Sequence, residues 1–381
     1  MNLLKKDNIT KSLYVHFPYC RHLCNYCDFY KLRYHSKEQI EQFHHYLVNS
    51  WEKLEVLLYE QKTQVLPFET IYLGGGTPSL WGVDGAIFFK KYLLSRGWSL
   101  NTNSEFTMEV DPGAWTVEGM EAWREVGVNR FSVGVQSFDP LQLKMLDRSH
   151  AFEDIQHLLE YLNKNNLNFS LDLLLGVPPK DRHYVRSIEN EINQIKQYAP
   201  SHISLYILNV NSSYEHFLKL PKDEFVAREY LEVNKLLEDN HYFQYEVSNY
   251  SLKGKEARHN KKYWTHDSIL ALGPSATGFL DGNLRYKWNA SLVNREFKIE
   301  HLGKEQLFLE KFYMTLRQRK FFKIEDLFYL EKQKEQFRTI LFDWINRGLA
   351  ISSDEVFFGM LPLGLLSLDS LMQEVFNRID F

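Results

Sequence analysis

Short apolar runs that stop at turn residues alternate with longer amphipathic stretches along the first 250 residues of the chain. The runs predict strands over residues 12–16, 70–73, 105–110, 130–135, 169–175 and 202–208. The amphipathic stretches predict helices over 37–62, 116–125, 152–165, 184–197 and 224–239, with one more after the turn Gly74-Gly75-Gly76-Thr77-Pro78. Units of this length imply parallel strands joined by helical crossovers. Six units are too few for an eight-fold barrel, so the expected fold is α/β, a partial (β/α)6 TIM-like barrel with a gap. Past residue 300 the pattern changes. Residues 304–318, 324–329 and 331–347 read as three helices and 350–358 as a short β-like segment, a small helical domain of winged-helix type. The expected domains are therefore 1–250, a connecting segment 251–300, and 301–381.

Composition narrows the class. A 381-residue chain that is 44% hydrophobic can bury a large core, and a net charge of −4 argues against a general nucleic-acid binder. Residues 301–350 hold ten Lys and Arg against seven Asp and Glu, so the winged-helix region reads as a structural lid and not as a DNA reader. No window is apolar enough to span a membrane, and the first seven residues lack a signal-peptide pattern. A soluble cytoplasmic protein is expected. Aromatic residues make up 15% of the chain, enough to build core and also to wall a flat ligand.

All three cysteines fall within eight residues, as Cys20-Arg-His-Leu-Cys24-Asn-Tyr-Cys27. A Cys3His zinc site completed by His16 or His22 is one reading. A disulfide fits an odd count in a reducing compartment poorly. The other reading is a [4Fe–4S] cluster, which ordinarily takes four cysteines, so that three would leave one iron open for a ligand that is not protein. The predicted rim, past the C-terminal ends of the strands, also collects Gly74–Pro78, Glu109–Pro112, Gln136 and Asp172. The glycine turn lacks the Lys-Ser/Thr of a phosphate loop and lets a ligand approach the backbone closely. Glu109, Asp172 and Arg148 could hold a zwitterion, acids on amine and ribose hydroxyls and the guanidinium on a carboxylate. Beside an incomplete cluster, they describe a site for an amino-acid–nucleoside conjugate.

The run Tyr14-Val-His-Phe-Pro-Tyr-Cys20-x3-Cys24-Asn-Tyr-Cys27-Asp-Phe resembles the radical S-adenosylmethionine superfamily. Gly-Gly-Gly-Thr-Pro, Glu109-Val-Asp-Pro112, Val133-Gly-Val-Gln136-Ser-Phe138 and Asp172-Leu followed by Gly-Val-Pro recur in that family's order. Within it, the chain is similar to the branch of oxygen-independent coproporphyrinogen III dehydrogenases and heme chaperones. The resemblance implies that Cys20, Cys24 and Cys27 ligate three irons while S-adenosylmethionine chelates the fourth. It implies that Tyr14 and Tyr26 lie against the cofactor, that Gly75, Gly76 and Thr77 bind its methionyl end, and that Glu109, Gln136, Arg148 and Asp172 complete the pocket. No catalytic residue is assigned.

Two features separate the branches. The dehydrogenase pattern has a fourth cysteine two residues after the third, where this chain has Phe29. The run Arg258-His259-Asn260-Lys261-Lys262-Tyr263-Trp264 matches the His-Asn-x-x-Tyr-Trp motif of the chaperones. The resemblance thus implies heme as a further ligand, with His259 on its iron, Tyr263 on the same helical face and Trp264 against the porphyrin plane. It implies heme-accepting apoproteins, some of them membrane-bound, as partners, allows a homodimer, and implies no nucleic acid. The alternative is a catalytic radical enzyme acting on a porphyrin or heme. Leu272-Gly-Pro-Ser-Ala276 and Arg285-Tyr286 also fall at family positions. Two positions depart from the pattern: Asp147 stands where a glycine is usual, and Ile207 where a glutamine is usual.

Overall fold

Along the predicted strands every second residue is apolar and, Ile207 apart, buried, and those residues share one side of a sheet. The computed structural model describes residues 8–380 except 182, 183, 185, 281, 354 and 355. The leader reading of residues 1–7, position 185 of the helix expected over 184–197, positions 354 and 355 of the expected segment 350–358, position 281 of the expected connecting segment and the end of the last domain at 381 lie outside the described residues.

The parallel strands are β1 (Ile9–Phe17), β2 (Gln64–Gly75), β3 (Leu100–Val110), β4 (Arg130–Gln136), β5 (Phe169–Leu175) and β6 (His202–Ile207), side by side in chain order. Helices α1 (Lys37–Glu60), α2 (Gly82–Leu94), α3 (Val117–Val126), α4 (Phe152–Lys164) and α5 (Ile188–Tyr198) make the crossovers, and α6 (Asp223–Asp239) follows β6. Their local signals are plain. Helix α1 buries Ile40, Phe43, Tyr46, Leu47, Leu54, Leu57 and Leu58 at helical spacing, and Gln39 reaches back to the Ser36 amide at 3.2 Å. Thr116 caps α3 through the Gly119 amide at 3.0 Å, and α3 stops at Gly127, whose φ of 122° suits glycine.

The sheet has more strands than its six predicted members. Segment 251–300, expected as a connector, supplies β8 (Leu270–Leu272), which pairs in parallel with the free edge of β1. At the other edge β7 (Asn249–Ser251) pairs antiparallel with β6, and the two-residue strand Phe243–Gln244 closes the row. The two edges are not hydrogen-bonded to each other, so the barrel is open as expected. Residues 251–300 also form an antiparallel sheet of β9 (Thr277–Leu280), β10 (Leu284–Trp288) and β11 (Phe297–His301), whose Leu280, Leu284, Tyr286 and Trp288 join the main core. These strands are too short, and too dependent on their neighbours, to carry a signal of their own.

The pleat sorts the chemistry. One side of the sheet carries Leu13, Val15, Phe17, Ile71, Leu73, Phe106, Met108, Phe131, Val133, Leu171 and Ile203, all packed in the main core. The other side carries Tyr14, His16, Thr70, Tyr72, Thr107, Glu109, Arg130, Ser132, Ser170, Asp172, His202, Ser204 and Tyr206. Parallel register sets these in rows: Tyr14 beside Tyr72, Glu109 beside Ser132, Ser132 beside Ser170, and Asp172 beside Ser204. The interior of this barrel is therefore a polar lumen.

The C-terminal region has a core of its own. Helices α8 (Lys304–Leu316), α9 (Glu331–Asn346) and α10 (Leu368–Arg378), with the short helix Ile324–Leu327, surround a small antiparallel sheet. That sheet consists of β12 (Phe322–Lys323), β13 (Ala350–Ser352) and β14 (Phe357–Met360), with β14 in the middle. Helix α10 was not anticipated. Phe337 sits at the centre, fully buried, with the rings of Phe312, Phe328, Phe358 and Trp344 at 5.4, 5.2, 5.5 and 5.8 Å. Phe337→Ala should cost about 3–5 kcal/mol, read as a lower urea midpoint, whereas a loss under about 1 kcal/mol would mean that this core is not packed as described.

Candidate functional site

The cysteine loop leaves β1 where the chain passes Pro18. Cys20 is buried in the two-residue strand Tyr19–Cys20, which pairs with Leu32–Arg33, so the loop 21–31 is pinched at its base. Cys24 and Cys27 are half-buried, and all three thiols are free. The glycine turn is hydrogen-bonded to this base: Gly76 N–H donates to Phe17 O at 2.6 Å and Thr77 N–H to Tyr19 O at 2.8 Å. A Cβ on Gly76 would stand 2.7 Å from Tyr19 O, and one on Gly75, whose φ is 112°, would stand 2.8 Å from the His16 ring. The glycines are needed first for this close approach to the cysteine loop. Burial pushes the Cys20 thiol up to about 11, partly opposed by its hydrogen bond with Thr77.

His16 and His22, the histidines weighed as zinc ligands, are both engaged. His16 Nε2 lies 2.8 Å from Tyr30 O and Nδ1 lies 3.2 Å from the Tyr14 hydroxyl, while His22 pairs with Asp147 at 3.0 Å. Among the described residues no group of three or more His, Cys, Asp and Glu side chains is placed to hold one metal ion. The loop itself offers three free thiols, the donor set of a cluster with one open iron.

Arg148 ties the loop to the rim. Its guanidinium donates to Tyr26 Oη at 3.4 Å and Gly134 O at 3.1 Å, lies 3.7 Å from Cys24 Sγ, and forms an ion pair with Asp111. Burial alone would raise the Asp111 carboxyl, but Arg148 and His150 hold it down to about 2. Asp111 thus occupies the guanidinium assigned from sequence to a ligand carboxylate. Gln136 sits at a bulge at the end of β4 with φ at 67°, its amide beside Gly134 and Arg148. A non-glycine residue held there is a strained position of the kind found at binding sites.

Glu109 and Asp172 lie on the same wall of the lumen, on either side of Ser132. Glu109 accepts from the Tyr72 hydroxyl at 2.9 Å and the Gly75 amide at 3.0 Å. Burial, then the nearby Asp172, push its carboxyl up to about 8. Asp172 accepts from Ser132 at 3.0 Å and is also raised, chiefly by burial. The rings of Tyr14 and Tyr72 lie near them, centroids 6.1 Å apart and tilted by 31°. Tyr206 and Tyr263 keep 41% and 38% of their surface accessible, although burial raises both hydroxyls. They line open space inside the protein.

His259 lies on the floor of that space. It opens α7 (Arg258–Trp264), whose first amides, Arg258 N–H and His259 N–H, both donate to Glu105, each at 2.9 Å. Nδ1 faces Thr70 Oγ1 at 2.9 Å, and Nε2 lies 3.5 Å from the Tyr263 hydroxyl. The side chain is 1% exposed, and burial, with Lys262 and Arg130, pushes its pKa down to about 3, so the imidazole is neutral. Tyr263 shares its face, as the four-residue spacing implies. Trp264 does not: about 140° further round the helix than His259, it lies under the Arg317 guanidinium, 4.7 Å from its ring, against the C-terminal region. The expected stacking of Trp264 on a porphyrin is corrected accordingly. Arg285 is engaged by Glu300 and Glu310, and Tyr286 is buried against Ala271 O, so that pair is structural.

The two departures have physical reasons. Asp147 has φ at 50°, a conformation that favours glycine and tolerates aspartate, and here it pairs with His22 of the cysteine loop. Ile207, one residue past Tyr206, points off the outer face of β6 and does not line the lumen. Sequence reasoning missed Tyr72, Glu105, Thr70 and Tyr206. All lie at inward positions, and the polar alternation of the strands was the signal that could have found them.

The model of the Radical SAM superfamily matches residues 14–192. The heme chaperone HemW of Lactococcus lactis is 30% identical over 335 residues, 83% of this chain and 83% of that protein. HemW of Bacillus subtilis is 31% identical over 283 residues, covering 71% and 72%. Coproporphyrinogen III oxidase (HemN) from Escherichia coli, a radical SAM enzyme, superposes over 97% of this chain and 90% of its own with a TM-score of 0.78 at 18% identity, a likeness of fold.

Two outcomes are expected. Gly76→Ala should lower the iron bound per chain after anaerobic reconstitution, because the new Cβ meets backbone that cannot move aside; undiminished iron would detach the glycine turn from the cysteine loop. For Glu109, the folded chain keeps a proton between about pH 4.5 and pH 8 that the unfolded chain has shed, so stability falls as pH rises through that window. The Tm of Glu109→Gln minus that of the wild type should therefore grow more positive from pH 5 to pH 9, and a flat difference would contradict the buried, protonated carboxyl.

Proposed function

The chain belongs to the radical SAM superfamily and within it to the HemW family, and from that membership we propose that it binds heme and delivers it to heme-accepting apoproteins in the cytoplasm, some of them at the membrane. The observation that carries this reading is the 30% identity to a heme chaperone over four fifths of both chains. Phe29, at the place of the dehydrogenases' fourth cysteine and 70% exposed, supports it over a decarboxylase. Among the described residues no helix is long and apolar enough to cross a membrane.

The superfamily implies a [4Fe–4S] cluster and S-adenosylmethionine. Cys20, Cys24 and Cys27 would hold the cluster, with Gly75, Gly76 and Thr77 fixing the base of their loop beside the methionyl end. Tyr26 and Arg148 would lie against it, the guanidinium placing positive charge next to the thiolates. Gln136, Glu109, Asp172 and Tyr14 would line the remainder of the cofactor, and a protonated Glu109 donates where a carboxylate could only accept. When bound, the pair supplies one-electron chemistry that no side chain here can perform.

His259 would coordinate heme iron. Thr70 holds Nδ1, so Nε2 is the free donor, and the depressed pKa keeps it unprotonated at any ordinary pH. Tyr263 stands over Nε2 and would have to swing aside, which its long contact of 3.5 Å permits. Glu105 would keep α7 on the barrel floor while it does so. Residues 301–381 would act as a cover on the β6 edge, with limits of 1–250, 251–300 and 301–381 for the functional regions.

Reconstituted protein should take up heme with a Soret band that His259→Ala weakens several-fold, and unchanged uptake would remove His259 as ligand. Incubation with coproporphyrinogen III, reductant and S-adenosylmethionine should leave the porphyrinogen intact. Appearance of protoporphyrinogen IX would overturn the chaperone reading in favour of a catalytic one.

A further inference from the structure

A half-open space lies outside the barrel, between the outer edge of β6 and the C-terminal helices. It is a cavity of about 150 Å³ with an apolar wall that includes Leu205, Ile207, Val247 and Leu366. Engineered apolar cavities of about that size hold a benzene-sized ligand. Ile207 is one of the two residues that depart from the family pattern, and here it makes this wall apolar.

The other end of the cavity is charged. Arg317 donates through Nη1 to the Tyr313 hydroxyl at 3.0 Å, and that hydroxyl donates to Asp369 Oδ1 at 2.8 Å. The guanidinium lies between two rings, 4.7 Å from the centroid of Trp264 and 5.4 Å from that of Tyr313, so its orientation is set in advance. Its Nε is buried with no hydrogen-bond partner and no surface open to the cavity, so a ligand would reach the guanidinium through its terminal nitrogens. Glu246, whose Oε1 accepts from the Ser248 amide at 2.9 Å and whose Oε2 is buried without a hydrogen-bond partner, attracts Arg317 through space. One tyrosine hydroxyl separates the two opposite charges.

We propose that this cavity binds a free aliphatic α-amino acid of about leucine's size. The carboxylate pairs with Arg317, the ammonium group with Asp369, and the side chain packs on Leu205, Ile207, Val247 and Leu366. A zwitterion matches both charges at once. A simple carboxylate would face Asp369, and a simple amine would face Arg317. The site uses none of the residues assigned to cluster, S-adenosylmethionine or heme, so it stands or falls apart from the chaperone reading.

Calorimetric titration of the full chain with L-leucine, 4-methylpentanoate and 3-methylbutylamine tests it. Leucine should bind saturably, with each analogue at least about tenfold weaker. Arg317→Gln and Asp369→Asn should each weaken leucine at least about tenfold. Asp369 is exposed at the cavity mouth, so Asp369→Asn decides the matter even if Arg317→Gln fails to fold. No saturable leucine binding up to about 10 mM, or analogues that bind as well as leucine, would overturn the proposal.

Discussion

The structure depends on one constraint of the β-pleat: successive side chains point to opposite faces, and six parallel strands keep the same face polar. A hydrophobic residue at each outward position binds the helices and makes the core. Tyrosine, serine, threonine, histidine, arginine and three carboxyls at inward positions cannot be packed away as a dry core, so they hydrogen-bond to one another around open space. The Ser132–Ser170–Asp172 contacts and the Tyr72–Glu109–Gly75 contacts come from this. A register slip of one residue in any strand would exchange the two faces and lose core and lumen together.

The cysteine loop is attached to that lumen by backbone, not by side chains. Gly76 and Thr77 donate to the carbonyls that precede Cys20, and Gly75 lies between His16 and Glu109. Any ligand that spans from the thiols to Glu109 therefore meets one rigid surface. Arg148 adds charge at the same junction, with Asp111 as its counter-ion. Asp147 shows how a departure from pattern is absorbed: it takes a backbone conformation suited to glycine and gains an ion pair to the loop.

Much of this was legible in the sequence. The six parallel strands and their crossovers follow from run lengths, and the cysteine spacing pointed to an open iron before any geometry. What was not legible is local in neither sense. Strand β8 is three residues long and exists because the edge of β1 was free to pair. The burial of His259 depends on Thr70 and Glu105, more than 150 positions away along the chain. The orientation of Trp264 needed Arg317, which belongs to another core. Long-range partners of this kind leave no periodic trace.

The central claim is a cluster with three protein ligands and one iron open towards the lumen. Mössbauer spectroscopy of protein reconstituted with ⁵⁷Fe tests it most directly. The account predicts a spectrum in which one iron of the cluster is distinct from the other three and shifts when S-adenosylmethionine is added. Four equivalent irons, or a spectrum indifferent to S-adenosylmethionine, would contradict it.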